Sequence, residues 1–119
     1  MPLNRKPALV VYVKDYPHGT VELPHTHDCA QLVHALSGVV RVETQQGVWM
    51  VPPNRGLWLP ARMPHSLQAI GLVKARTLFI DPLARADLPN VCGVVGISPL
   101  LKALIVAAID IVTVPLRGG

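Results

Sequence analysis

Four side chains in this sequence have the types and spacing to hold a metal ion. The segment "HTHDCAQ" (25–31) sets His25 and His27 two positions apart and places Gln31 four further on. In an extended strand, residues of like parity share a face, so one regular strand would aim His25, His27 and Gln31 the same way. Same-face neighbours lie roughly 7 Å apart along a strand. Two imidazoles at i and i+2 can therefore converge on one ion at about 2.0–2.1 Å from each nitrogen. A third ligand must come from a distant stretch, and "LPARMPHS" (59–66) offers His65, held behind Pro60 and Pro64 where another strand begins. Three imidazoles and one amide oxygen suit a divalent transition metal of borderline hardness: zinc, nickel, iron or manganese. The competing reading is that an HxH pair beside Pro and Asp is a solvated loop, and the local residues alone do not decide between the two.

Short strands separated by turn residues would have to position these side chains. "ALVVYV" (8–13), "TVEL" (20–23), "AQLVHAL" (30–36), "VVRVET" (39–44), "VWMV" (48–51), "LWLP", "HSLQAI" and "KARTLFI" follow one another, broken by Gly, Pro and Asn. Such spacing predicts an all-β sandwich or barrel through residue 96 rather than βαβ units. The 12 prolines agree, because they belong in connections. The character then changes. "SPLLKALIVAAIDIV" (98–112) opens with a Ser N-cap and a Pro in the first turn, which predicts a helix. Leu100, Leu101, Leu104, Ile105, Ala108, Ile109 and Val112 form a broad apolar stripe, and only Lys102 and Asp110 are charged. A helix so apolar must be covered on more than one side. The barrel can cover one side, and a second subunit or further chain is expected on the other.

At 119 residues the chain is one domain, with a barrel over 1–96 and a C-terminal helix over 97–119. Half of the residues are apolar and 15% are charged, which excludes disorder. The net charge is +4, but the eleven basic residues are scattered, with no run or basic helix to bind nucleic acid. Cys29 and Cys92 lie far apart in no CxxC spacing, as expected of free thiols in a reducing cytoplasm. No segment reaches eighteen apolar residues and no signal peptide is evident, so the expected location is cytoplasmic, with no membrane contact.

The wider spacing carries a resemblance. Gly19, His25-x-His27, Gln31 and Gly38 match the spacing of the first cupin motif, with Gln31 where that motif usually has Glu. Pro60-x-Arg62-x-x-His65 resembles the second motif, with Arg62 in the usual Gly place and Ala69 where Asn is common. Over nearly its whole length the chain is similar to the N-terminal cupin domain of AraC-family transcriptional regulators. It resembles in particular the subgroup marked by H-x-H-x-x-A-Q-L, G-x-W-x-V-P-P-x-R and W-L-P-A-x-x-P-H. The resemblance implies a small antiparallel cupin β-barrel of jelly-roll type, with ligands pointing into its lumen and a C-terminal α-helix following. It further implies a small-molecule effector in the barrel and a homodimer. DNA would be bound only through a C-terminal helix-turn-helix domain, which these 119 residues do not contain.

The departure at Gln31 has chemical consequences. A carboxylate there would lower the charge of the site and could take a proton, whereas an amide can do neither. That tilts the expectation from enzyme to sensor. The alternatives are a stand-alone metallo-cupin enzyme, a dioxygenase or isomerase, and a structural dimerisation module with an empty barrel. Among the remaining candidates, His34 has opposite parity to Gln31 and should face away from the site, and His18 should be solvated in a turn. Trp49 and Trp58 fill core or line the effector pocket. Arg41, Arg55 and Arg62 pair with an acidic effector or simply sit on the rim.

Overall fold

The structure, a computed structural model, describes residues 9–81 and 88–108. Among these residues nine strands and a helix form: β1 (Leu9–Tyr16), β2 (Val21–His25), β3 (Ala30–Val33), β4 (Val39–Thr44), β5 (Gly47–Val51), β6 (Arg55–Leu59), β7 (His65–Ile70), β8 (Val73–Ile80), β9 (Gly93–Gly96) and α1 (Pro99–Ala108). They make two antiparallel sheets, ordered β1-β8-β3-β6-β9 and β2-β7-β4-β5. This is the all-β, cupin-type architecture expected from the turn spacing, with a helix after the last strand.

Alternation builds the interior. On β4, Val40 and Val42 are buried while Arg41 and Glu43 face outward, and on β8 Val73, Ala75 and Thr77 point in between Lys74 and Arg76. Side chains from both sheets, among them Val33, Val40, Val42, Leu57, Leu59 and Val73, form one core. Gly38 closes the approach to β4 at φ 76°, where an added Cβ would fall 2.6 Å from the Leu72 carbonyl oxygen. Only glycine fits both that backbone and that gap.

Several elements differ from expectation. β1 continues past Val13 to Tyr16 because β8 pairs with it along its full length, from Leu9↔Ile80 to Tyr16↔Val73. The stretch 30–36 shortens to β3, after which only Ala35 bridges to Ala75. β9 carries no strand signal, since two of its four residues are glycine, yet it pairs with β6. The helix starts as expected. Leu101 N–H donates to Ser98 Oγ at 3.1 Å and Pro99 occupies the first turn. Its expected continuation over 109–112 lies outside the described residues. Ile105 is buried, whereas Leu100, Leu104 and Val106 are exposed, so the body of the domain covers only part of the apolar surface of α1.

Candidate functional site

The four residues singled out by spacing come from three places in the fold. His25 ends β2 in the four-stranded sheet and pairs directly with His65, the first residue of β7. His27 lies in the connection after β2, and Gln31 lies on β3 in the other sheet. The single regular strand invoked for His25, His27 and Gln31 therefore does not exist. They approach one another because the chain crosses from one sheet to the other between them. Arg62 N–H donates to the His27 carbonyl at 2.7 Å, which latches the β2–β3 connection to the β6–β7 connection and sets His27 beside His65. Arg62 stands at φ 62°, the left-handed conformation that glycine favours. That accounts for the glycine usual at this place in the motif.

The three imidazoles form a cluster. Ring centroids lie 4.8 Å apart for His25–His27, 4.4 Å for His25–His65 and 5.7 Å for His27–His65. One nitrogen from each ring lies within 4.8 Å of the others. The Nδ1 atoms of His25 and His65 donate to the carbonyls of Leu23 and Met63, each at 2.9 Å. A carbonyl only accepts, so Nδ1 carries a proton in both, and in the neutral ring the lone pair then falls on Nε2. His65 is 2% exposed and its Nε2 has no hydrogen-bond partner. Burial holds His65 below its ordinary value of 6.5, and the neighbouring His25 and His27 lower it further. His27 is lowered by burial and then by His25, against the opposing pull of Glu22 and Asp28. Rings anchored through Nδ1, as in His25 and His65, leave Nε2 as the atom that a divalent transition metal takes. The buried, unpartnered nitrogen of His65 fits such an ion.

His25, His27 and Gln31 open onto a cavity of about 510 Å³ between the sheets. Gln31 is buried. Phe79 forms an aromatic wall, with the His27 ring edge-on at 5.2 Å and Tyr12 at 5.9 Å. Glu22, Tyr16 and Thr77 line the same cavity, and sequence reasoning missed all three. Glu22 has even parity and His25 odd, so a regular β2 would point them to opposite faces. The register instead slips between them, and both face inward. Pro24 is the available signal, because a proline inside a strand marks a bulge or an edge.

The other candidates lie elsewhere. His34 faces away from the cluster, fully buried, with Nε2 at 3.1 Å from the Pro53 carbonyl. His18 is exposed, and its Nδ1 accepts the Gly71 N–H at 2.8 Å. Trp49 packs against the core, and Trp58 Nε1 donates to the Pro89 carbonyl at 2.9 Å. Neither indole lines the cavity, nor do Arg41, Arg55 and Arg62; Arg41 pairs with Glu43 at 3.2 Å. Cys29 and Cys92 are free thiols.

Two facing antiparallel sheets with a histidine cluster at the mouth of their lumen define a cupin barrel, and solved structures agree. A conserved protein of unknown function from Streptococcus pyogenes superposes with a TM-score of 0.59 at 22% identity, covering 66% of this chain and 68% of that one. A cupin superfamily protein from Desulfitobacterium hafniense gives 0.58 at 16% identity, covering 67% and 73%. Oxalate decarboxylase from Bacillus subtilis gives 0.57 at 22% identity over 62% of this chain, which spans only 21% of that enzyme's chain. These likenesses concern the fold. A search of curated proteins returned no significant match. The profile of the AraC-like ligand-binding domain matches residues 6–107. The chain belongs to that family. Among the described residues no helix is long and apolar enough to cross a membrane.

Proposed function

We propose that this domain is the effector-sensing and dimerising part of an AraC-type transcriptional regulator. A divalent transition metal would be held on His25, His27 and His65, with Gln31 beside them. The observation that carries the site is the buried Nε2 of His65, which has a lone pair and no partner, next to two further imidazoles at a cavity. Two nitrogens bound to one ion at 2.0–2.1 Å lie no more than about 4.2 Å apart, so the rings would close by roughly an ångström to share it. When bound, the ion supplies a double positive charge that draws in a lone pair or an anionic group of the effector. Gln31 leaves that charge undiminished.

The barrel (1–96) and the helical segment (97–119) are proposed as the sensing and coupling parts. β3 links them. Gln31 and Val33 face the cavity. Between them Leu32 packs against Gly56, which also meets Ile97 just before α1. An effector that favours one position of β3 would bias how α1 sits, provided it binds that arrangement more tightly than the other. Exposed Leu100, Leu104 and Val106 support a homodimer contact through α1. DNA contact is assigned to a C-terminal helix-turn-helix domain outside these 119 residues. Two free thiols suit a cytoplasmic location.

Metal analysis after incubation with zinc, nickel, iron or manganese tests the site. Wild type should retain close to one ion per chain and a His25→Ala/His27→Ala variant none, whereas equal retention by both refutes it. Sedimentation of Leu104→Glu tests the dimer, which should dissociate. Glu22 favours a second reading, a metallo-cupin enzyme of dioxygenase or isomerase type, because it supplies the carboxylate that Gln31 does not. Turnover by the metal-loaded domain, abolished by Glu22→Gln, would favour that reading over the sensor.

A further inference from the structure

We propose that Glu22 determines which effectors the cavity accepts, and that it selects a small organic amine in its protonated form, carried on a short aromatic or apolar body. The proposal rests on reading the cavity as an effector site.

The first support is how Glu22 comes to face the lumen. Val21 pairs with Gln68 and Glu22 with Leu67, but the next pair is His25 with His65. Three steps along β2 are matched by two along β7, which is a bulge with one extra residue. Without it either Glu22 or His25 would point outward. The backbone irregularity thus brings a carboxylate and the histidine cluster into one cavity.

The second support is the state of that carboxylate. Among the described residues lining the cavity it is the one formally charged group. Both of its protein contacts fall on a single oxygen: Tyr16 hydroxyl donates to Oε2 at 3.2 Å, and Lys14 Nζ lies 3.9 Å from the same atom. Oε1 has no protein partner among the described residues. Tyr16 is itself nearly buried, and burial together with the Glu22 charge drives its hydroxyl well above its ordinary range, so it remains a donor. Tyr16 therefore fixes the carboxylate while leaving one oxygen for something else. Lys14 lies half exposed and 5.0 Å over the Tyr16 ring, and it does not line the cavity.

The third support is what surrounds the free oxygen. A half-buried carboxylate lacking a full set of partners is costly beside apolar walls, and a donor-bearing cation is the ligand that offsets this. Gln31 and Thr77 are buried, line the cavity and make no side-chain hydrogen bond among the described residues, so both can take further N–H groups. Phe79 and Val33 beside them, and Leu67 on the other sheet, offer an apolar surface in the same cavity that suits a short aromatic or apolar body.

Calorimetric titration with three probes of one shape tests this: benzylamine, benzyl alcohol and benzoate, each with apo and nickel-loaded protein. Wild type should bind benzylamine at least tenfold more tightly than either of the others. Glu22→Gln should abolish that preference, and Glu22→Asp, which keeps the charge, should retain part of it. Circular dichroism and nickel content of both variants establish that the barrel and the histidine cluster survive the substitution. If benzoate or benzyl alcohol binds as well as benzylamine, or if Glu22→Gln leaves the preference unchanged, the amine assignment is overturned while the effector cavity stands. If none of the three binds wild type in either state, the amine assignment and the effector reading both fall.

Discussion

Arg62 offers the sharpest test of how the histidine cluster is assembled. Its backbone lies at φ 62°, and its N–H donates to the His27 carbonyl at 2.7 Å. A side chain in the left-handed region costs about 1–2 kcal/mol relative to the ordinary helical region. The Arg62 side chain is exposed and makes no ion pair among the described residues, so replacing it removes little else. In Arg62→Gly that strain disappears, while the freer unfolded chain costs about 0.4–1 kcal/mol. The balance is a stabilisation of about 0.5–1 kcal/mol, or a rise of about 3–5 °C in Tm for a chain of this size. Arg62→Val should instead destabilise by about 1 kcal/mol or more, because a β-branched residue tolerates positive φ poorly. Arg62→Pro removes the donor and forbids the conformation, so it should both destabilise the barrel and release His27. Urea denaturation of the three variants, with nickel titration of each, reads both effects. Glycine should melt highest and keep its nickel affinity, and proline should lose at least tenfold in affinity. A glycine variant less stable than wild type, or a valine variant equal to it, would refute the strain argument. A proline variant that binds nickel normally would refute the latch.

Gly38→Ala should cost about 3 kcal/mol or more, because it adds a clash with the backbone at Leu72 to the strain at positive φ, whereas Gly19→Ala, with open space around it, should cost only about 1 kcal/mol. Denaturant midpoints of the pair check the contrast. His34 and His65 are held below their ordinary value of 6.5 by burial, so just below that pH the unfolded chain binds more protons than the folded one. Stability should therefore be complete above about pH 6.5 and fall as the medium is acidified, with a shallower fall in His34→Gln; urea midpoints that do not change with pH would contradict neutral burial. Gln31→Glu places a carboxylate at a buried position of the cavity. It should lower the Tm of the apo domain and raise nickel affinity at least tenfold, as read by melts with and without the ion.

Parts of this arrangement were legible in the residue pattern, and the reasons are local. Alternation on β4 and β8 is a one-strand property, as is the Ser98–Pro99 helix start, and both could be read directly. His65 could be singled out because two prolines placed it at the head of a strand. The route by which His25, His27 and Gln31 approach one another could not be read, because it depends on a crossing between sheets and on the His25↔His65 pairing across forty residues. Parity set His25, His27 and Gln31 on one strand face, whereas the structure places them on β2, in the connection after it and on β3. It failed outright at Glu22, where one extra residue in β2 inverts the face of everything before it.

The failure at Glu22 bears on the division of labour in the lumen. The cupin motif that this chain resembles usually has a glutamate among the histidines, and a carboxylate there would lower the charge of a bound ion. Here the corresponding position is Gln31, and the cavity's carboxylate stands on another strand, held through one oxygen by Tyr16. The carboxylate and the histidines thus line one cavity, with the carboxylate displaced from the Gln31 position to β2. An ion on the three imidazoles would attract a lone pair of a ligand, while Glu22 Oε1 would take a donor of the same ligand. A ligand meeting both would be held at two points that the β2 bulge brings into one cavity. Gln31→Glu combined with Glu22→Gln moves the charge back among the histidines without changing the total. If the position of the carboxylate matters, that double variant should bind nickel more tightly than wild type and lose its preference for benzylamine. Retention of the preference in the double variant would mean that total charge alone governs selection.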